Sequence, residues 1–301
     1  MERQAFLERR KQGIGGSDVA AVLGVSKWKT PYQLWLDKTS DTVEEKQSDI
    51  LHFGTVLEQV IADEYARRNN VKVLRRNQMY RHAEHPELIA NIDRYVVGGK
   101  ILECKTCNAY ASSKFGEGGD EVPDEYLFQV QHYMHVTGYH EADLAVLIGG
   151  NEYRQFSLKY DADLANYAAD KCVAFWNDYV VPQVPPPAIV QDNLTEYYKA
   201  VPGATIVASD EIAALCAEYK TEHSKEKSAK ERKKVIASQI KLFAKECEFI
   251  TDKAGKTIAT WKKGKDKATV DWEAFASDKG ITAEDTAFFT NYSPTRTFSV
   301  K

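Results

Sequence analysis

The 301-residue sequence has no apolar run near the roughly 18 residues needed to span a bilayer, so no transmembrane helix is expected. The opening MERQAFLERRKQG is charged throughout and lacks the apolar core of a secretory signal. The five cysteines are an odd number without framework spacing, which argues against a disulfide-built fold and for a reduced, cytoplasmic protein. No internal repeat is present. A positive net charge is also missing: the formal value is −4. That argues weakly against a polyanionic partner, because a total hides distribution and clustered carboxylates count against it. Basic runs do occur at Arg9-Arg10-Lys11, Arg67-Arg68, Arg75-Arg76 and Lys262-Lys263-Gly264-Lys265. Each alone reads as solvated surface.

Gly13-Ile14-Gly15-Gly16-Ser17-Asp18 is a glycine-rich turn, with Ser17 or Asp18 placed to cap a helix over Val19–Leu23 that Gly24 closes. Pro31 suits the first position of a second helix, reaching about Leu36. Asp41–Ser48 reads as a loop. Leu51–Arg68 is a helix with Val56, Leu57, Val60, Ile61 and Tyr65 as its apolar face. The period then changes to that of strands at Val71–Leu74, Gln78–Tyr80, Ile89–Val96 and Ile101–Cys107, with Gly98-Gly99 as a hairpin turn. A helix over Pro123–Val136 ends near Gly138, a hairpin over Ala142–Ile148 and Tyr153–Leu158 turns at Gly149-Gly150, and Asp161–Tyr179 is helical. This order predicts an α/β core, a small mixed sheet flanked by helices, ending near Pro187. Residues 188–301 form an extension: a helical arm over Ser209–Lys245 with a polar middle, and short strands at Thr257–Trp261 and Arg296–Val300.

The chemistry-bearing stretch is Asn91-Ile92-Asp93 followed by Ile101-Leu102-Glu103-Cys104-Lys105. Alternate residues of a strand share a face, so Glu103 and Lys105 point one way and Cys104 the other. The glycine turn folds the preceding strand back and brings Asp93 beside Glu103. Two carboxylates and an ammonium against a sheet interior call for a compensating cation or partner, and hard oxygen ligands in small number suit Mg2+. Metal-assisted phosphodiester hydrolysis uses such a set, with the lysine orienting or deprotonating a water. From these residues alone, an ordinary hairpin with a surface Asp and a Glu/Lys pair is the simpler reading.

The combination of motifs narrows the choice. Asp93 with Glu103-x-Lys105 resembles the PD-(D/E)XK nuclease superfamily. The GIGGSDV segment, Phe53-Gly54-Thr55-Val56-Leu57-Glu58, the NID and LECK cores, and Gln129 with Tyr133 in YLFQVQHYMHVT resemble, in order, the YqaJ viral recombinase or lambda exonuclease-like family. The resemblance implies the restriction-endonuclease-like fold and a Mg2+-dependent exonuclease that degrades linear duplex DNA 5′→3′. It implies two ions, with Mn2+ as a substitute. It further implies a phage or prophage origin, a homo-oligomer such as a ring trimer, and work beside a single-strand annealing protein of the RecT or Bet type. Asp93, Glu103, the Cys104 backbone carbonyl and Glu58 would bind metal, Lys105 would handle the attacking water, and Gln129 would contact the core. Arg10, Ser17 and Asn91 would meet the 5′-phosphate. A site role and a core role for Tyr133 stand about even. Isoleucine replaces proline at the first motif letter (Ile92), and Asn91 replaces a serine of that pocket. An endonuclease of the same superfamily and a non-catalytic DNA-binding module are the alternatives.

Other patterns carry less. Cys104-x-x-Cys107 has no second such pair, and Cys172, Cys216 and Cys247 are scattered, so all five read as structural. His82, His85, His132 and His135 lack a shared ligand face. The glycines of GIGGS do not follow a strand as a nucleotide loop requires.

Overall fold

The computed structural model describes residues 3–40, 48–116, 121–264, 269–287, 290 and 297–300. The chain divides into two units, Met1–Tyr197 and Tyr198–Lys301. In the first, α1 (Arg3–Lys11), α2 (Gly16–Val22), α3 (Pro31–Thr39) and α4 (Asp49–Asn69) precede five short strands. These are β1 (Val73–Leu74), β2 (Tyr80–Arg81), β3 (Ile89–Ala90), β4 (Arg94–Val96) and β5 (Lys100–Cys107). Then come α5 (Asp124–Thr137), β6 (Glu141–Ile148), β7 (Glu152–Lys159), α6 (Ala162–Phe175) and α7 (Leu194–Tyr197). The sheet order is β1-β4-β5-β6-β7; β5 and β6 are parallel across the α5 connection and the other pairs antiparallel. β2 and β3 form a separate two-stranded ladder. This is the mixed sheet with flanking helices expected from the sequence.

The strand period decides what each face covers. Ile101 packs with Val130, Met134, Ala168 and Cys172 in the cluster shared by α2, α5 and α6. Leu102 and Cys104 pack with Ile61, Ala62 and Tyr65 of α4. The buried face of α4 is narrower than its sequence suggests: Val56 and Val60 are exposed, and Leu57 is half-buried. They lie about 100° around the helix from Leu57 and Ile61, which meet the sheet. Ser48 caps α4 by accepting the Leu51 N–H, and Asn70 closes it at φ 51°. Residues 41–47, expected as a loop, lie outside the described residues.

The expected strand Ile89–Val96 is two strands. Ile89 N–H donates to the Ile14 carbonyl and Ile14 N–H to that of Glu87, so this end of the segment pairs with the glycine-rich turn rather than with β5. The break falls at Asn91–Asp93, the stretch with the chemistry. The helix expected over Asp161–Tyr179 ends at Phe175, and a π turn continues it through Val180. The unit also passes Pro187. The Tyr197 hydroxyl donates to the Pro186 carbonyl at 2.9 Å, its ring meets Tyr32 at 4.7 Å, and the Thr30 hydroxyl donates to Asp192, tying residues 186–197 to α3.

The second unit contains α8 (Asp210–Ala244), an antiparallel hairpin of β8 (Phe249–Thr251) and β9 (Thr257–Thr260), and the helices α9 (Trp272–Lys279) and α10 (Ala283–Ala287). Residues 297–300 are not in a strand, against expectation; Arg296 and Lys265 lie outside the described residues.

Candidate active site

The register of β4 on β5 pairs Arg94 with Leu102. One step further along each strand sets Asp93 across from Glu103. Asp93 has left the ladder, and its Oδ2 accepts the Cys104 N–H at 2.9 Å. Glu103 is buried, and its Oε1 takes two donors: Lys105 Nζ at 2.6 Å and Gln129 Nε2 at 2.7 Å. Gln129 Nε2 also donates to the Tyr133 hydroxyl at 2.9 Å, so Tyr133, a core residue, touches the glutamine that holds Glu103. Gln131 faces away and bonds the Lys159 carbonyl and the Asp161 N–H. The two-residue step on α5 thus turns one glutamine toward Glu103 and the other away from it.

The electrostatics are uneven. Burial raises the Asp93 carboxyl well above the usual carboxylate range, and Glu103 and Glu58 add to this against the opposing pull of Lys105. Burial lowers the Lys105 ammonium, but Glu103 and Asp93 outweigh it and hold the group above its ordinary value. Glu103 Oε2 is buried without any hydrogen-bond partner. A buried carboxylate oxygen left bare is costly and unusual.

Glu58 lines the same cleft but is engaged: its carboxylate accepts from Arg94. Arg94 is buried and also donates to the Gln59 side chain at 2.9 Å and to the Asp93 carbonyl at 2.7 Å. Sequence reasoning missed Arg94. The signal was available, since strand alternation turns residue 94 away from Asp93 toward α4, where a buried guanidinium requires an acid. Among the described residues, no three His, Cys, Asp or Glu side chains gather into a metal cage. Asp93 and Glu103 nevertheless fit a hard divalent ion, which takes one or two carboxylates and keeps the rest of its shell for water and substrate. The bare Glu103 oxygen and the raised Asp93 carboxyl mark an excess of negative charge there.

The glycine-rich turn forms the opposite wall. A Cβ on Gly13 would lie 2.4 Å from the Glu87 carbonyl oxygen, and one on Gly16 would lie 2.5 Å from the Tyr133 ring, so only glycine permits these approaches. Helix α2 starts one turn earlier than expected, with Gly15 as its cap and Asp18 accepting the Gly15 N–H. Ser17 is thus not the cap. Its hydroxyl faces the cleft and accepts from Arg10 at 2.7 Å. Lys38, also missed, braces this wall from beneath: its Nζ donates to the Arg10 carbonyl at 2.8 Å, the Gly13 carbonyl at 2.6 Å and Asp18 Oδ2 at 2.7 Å.

These walls enclose a cleft of about 570 Å3. Asp93, Glu103, Lys105, Glu58, Gln129 and Tyr133 line it, as do Arg10, Ser17 and Asn91. Arg9, Arg75 and Arg76 line it too, which corrects the reading of those runs as mere solvated surface. Arg76 also stacks over the Tyr95 ring at 4.2 Å. Cys104 contributes its N–H, while its thiol packs toward α4 with its ionisation suppressed by burial. The described cysteines form no disulfide. Burial pushes the His132 imidazole down to about 4, and its Nε2 lies 3.0 Å from the Ile89 carbonyl, a core role.

Residues 5–140 match the family described as the YqaJ-like viral recombinase domain. Protein YqaJ of Bacillus subtilis (strain 168), described as uncharacterized, is 42% identical over 203 residues, 66% of this chain. The chain spans 63% of the length of that relative. An alkaline exonuclease of Laribacter hongkongensis, LHK-Exo, superposes with a TM-score of 0.53 at 19% identity, over 60% of this chain and 94% of its own. Its complex with dAMP gives a TM-score of 0.52 at 20% identity, over the same shares of the two chains. At these identities the likeness establishes the fold.

Proposed function

The N-terminal unit of this chain belongs to the YqaJ-like viral recombinase domain family, and from that premise we propose that it is a Mg2+-dependent deoxyribonuclease that degrades linear duplex DNA from 5′ ends. The observation that carries the reading is the bare, buried Glu103 Oε2 beside an Asp93 carboxyl raised by burial and, after that, by Glu103 and Glu58. The fold shared with an alkaline exonuclease supports it.

Asp93 and Glu103 would hold the ion or ion pair, with the Cys104 carbonyl and Glu58 as further oxygen donors. When bound, Mg2+, or Mn2+ in its place, polarises the scissile phosphate and lowers the pKa of a water. Lys105, beside Glu103 at 2.6 Å, would orient or deprotonate the attacking water and stabilise the charge that develops on phosphate oxygen. Gln129 holds Glu103 Oε1 and fixes the carboxylate plane, with Tyr133 behind it. Arg94 neutralises Glu58, and its hydrogen bond to the Asp93 carbonyl steadies the backbone that presents Asp93.

Arg10 and Ser17 set the polarity. A guanidinium paired with a hydroxyl at the first turn of α2 is suited to a terminal phosphate, and Lys38 fixes the carbonyls on either side. Such a pocket is useful to an enzyme that starts from an end. Arg9, Arg75 and Arg76 supply charge for the adjoining strand, concentrated on one cleft despite the acidic total. Removal of one strand leaves a 3′ single strand, the substrate of an annealing protein of the RecT or Bet type in phage recombination.

The test is digestion with Mg2+ of linear 5′-phosphorylated duplex and of closed circular duplex of the same sequence. Loss of the linear form alone is the expected result. Nicking or linearisation of the circle favours an endonuclease, and two untouched substrates overturn the enzymatic reading.

A further inference from the structure

Glu58 and Glu103 both line the cleft, and they differ in what holds them. Glu103 keeps one buried oxygen bare, whereas Glu58 has a guanidinium against it. Arg94 Nη1 donates to Glu58 Oε1 and to the Asp93 carbonyl, and Nη2 donates to the Gln59 side chain at 2.9 Å. The Arg94 side chain is 3% exposed and that of Glu58 20%, so the pair reaches the cleft through the acid and hides the base. The strand period sets this up. Arg94 pairs with Leu102 in the β4–β5 register and shares a face with Val96, and both apolar side chains pack beneath α4 with Ile61 and Ala62. A guanidinium does not shed its proton. Its charge in this apolar layer is permanent and is tolerated only while an acid answers it. Glu58 supplies that acid from α4, one helical turn before Ile61 and Ala62.

We infer that Arg94 is a built-in cation standing in for a second metal ion, so that the chain without DNA binds one divalent ion and not two. The inference rests on the nuclease reading above and concerns how that site fills. An ion drawn to Glu58 meets a carboxylate whose charge is already matched, with a fixed positive charge behind it. Taking Glu58 from Arg94 altogether strands a guanidinium among Val96 and Leu102. Asp93 and Glu103 carry no such restraint. Lys105 sits beside Glu103 at 2.6 Å, yet the other Glu103 oxygen stays bare. The first ion therefore settles between Asp93 and Glu103. A second ion needs charged oxygens beyond those of a neutralised Glu58. Substrate phosphate supplies them, since Mg2+ completes its shell with phosphate rather than with a full protein cage. The second ion thus enters with the DNA, and Arg94 makes its arrival conditional on substrate.

Counting Mn2+ tests this without any cleavage. Bound Mn2+ loses the sharp electron paramagnetic resonance signal of the free ion, so titration of the full chain without DNA gives ions per chain. One tight ion is expected in the wild type. Glu103→Gln loses it and Glu58→Gln keeps it. Arg94→Met frees the Glu58 carboxylate and raises the count to two, whereas Arg94→Lys, which keeps a cation, leaves it at one. Arg94→Met combined with Glu58→Gln buries no unpaired charge and returns the count to one. Circular dichroism checks the fold of each. An arm that needs no substitution adds duplex with phosphorothioate linkages at its 5′ ends to the wild type, and a second Mn2+ is expected to bind. Two tight ions in the wild type without DNA overturn the inference and leave the nuclease reading standing. So does loss of the first ion in Glu58→Gln, a folded Arg94→Met chain that takes only one, or a wild type that stays at one with DNA present. A wild type that binds no Mn2+ overturns the nuclease reading itself, and the inference with it.

Discussion

Asp93 lines the cleft and Asp18 follows Ser17 of its wall, and their surroundings push the two carboxylates in opposite directions. Burial disfavours the charge on Asp18, but Lys38, Arg10 and Lys29 outweigh it and hold the carboxyl far below its ordinary value. Its Oδ2 accepts from Lys38 Nζ at 2.7 Å and the Gly15 N–H at 3.1 Å, and Arg10 and Lys29 stand 4.0 Å from its Oδ1. Burial also disfavours the charge on Asp93, and there Glu103 and Glu58 reinforce the effect. The first cluster is a closed strut, matched by its own cations. The second is short of positive charge by design of its residues, with one lysine shared between two acids and Arg94 committed to a third. A closed cluster serves stability, and an open one waits for a charge from outside the chain.

Substitutions break or sharpen this contrast. The largest effect is expected from Lys105→Ala, which removes the ammonium of the open cluster. Cleavage falls by about 100- to 10,000-fold, while affinity for duplex DNA, measured by fluorescence anisotropy, stays within a few-fold. Parallel loss of binding makes Lys105 a structural residue.

Next, Asp18→Asn strands a buried Lys38 and is expected to cost about 3–5 kcal/mol of unfolding free energy. Asp93→Asn in the metal-free chain relieves carboxylate repulsion and costs far less, although cleavage is lost. The pH dependence of the first loss has a defined sign. Because the folded-state value of Asp18 is depressed, its contribution is complete above the unfolded value, near 3.8, and disappears as pH falls through the folded value. Urea unfolding should therefore separate wild type from Asp18→Asn at neutral pH and converge in strong acid. Equal losses for the two aspartates erase the distinction between strut and site.

A smaller change is expected from Arg10→Ala, which lies between the clusters. A charge-assisted hydrogen bond contributes about 1.5–3 kcal/mol, so the variant loses roughly ten- to hundred-fold in preference for 5′-phosphorylated over 5′-hydroxyl ends. Cleavage of the hydroxyl end should change little. A wild type without any preference removes the phosphate pocket from the account.

The sequence carried the scaffold of the site well, and for a local reason. Glu103 and Lys105 share a face because strands alternate, and Gly98-Gly99 returns the chain so that Asp93 meets Glu103. Gln129 and Tyr133 fell together because four residues make a helical turn. What escaped was set by distant packing. The break at Asn91–Asp93 depends on Ile14 pairing with the segment around Leu88, more than seventy positions away in sequence. Arg94 looks like a surface residue until α4 is laid over it, and Lys38 looks like the exposed end of a helix until the glycine-rich turn closes around its ammonium. The placement of Arg75 and Arg76 on the cleft likewise follows from tertiary folding, which a net charge does not register.

The central claim is that the Asp93–Glu103 corner is built to receive a divalent cation. Calorimetric titration of Mg2+ or Mn2+ into the full chain, beside Glu103→Gln and Asp93→Asn, reads it directly. Saturable binding by the wild type that disappears in both variants, each still folded, is the predicted result. Binding of equal strength in all three chains, or none in the wild type, would contradict it.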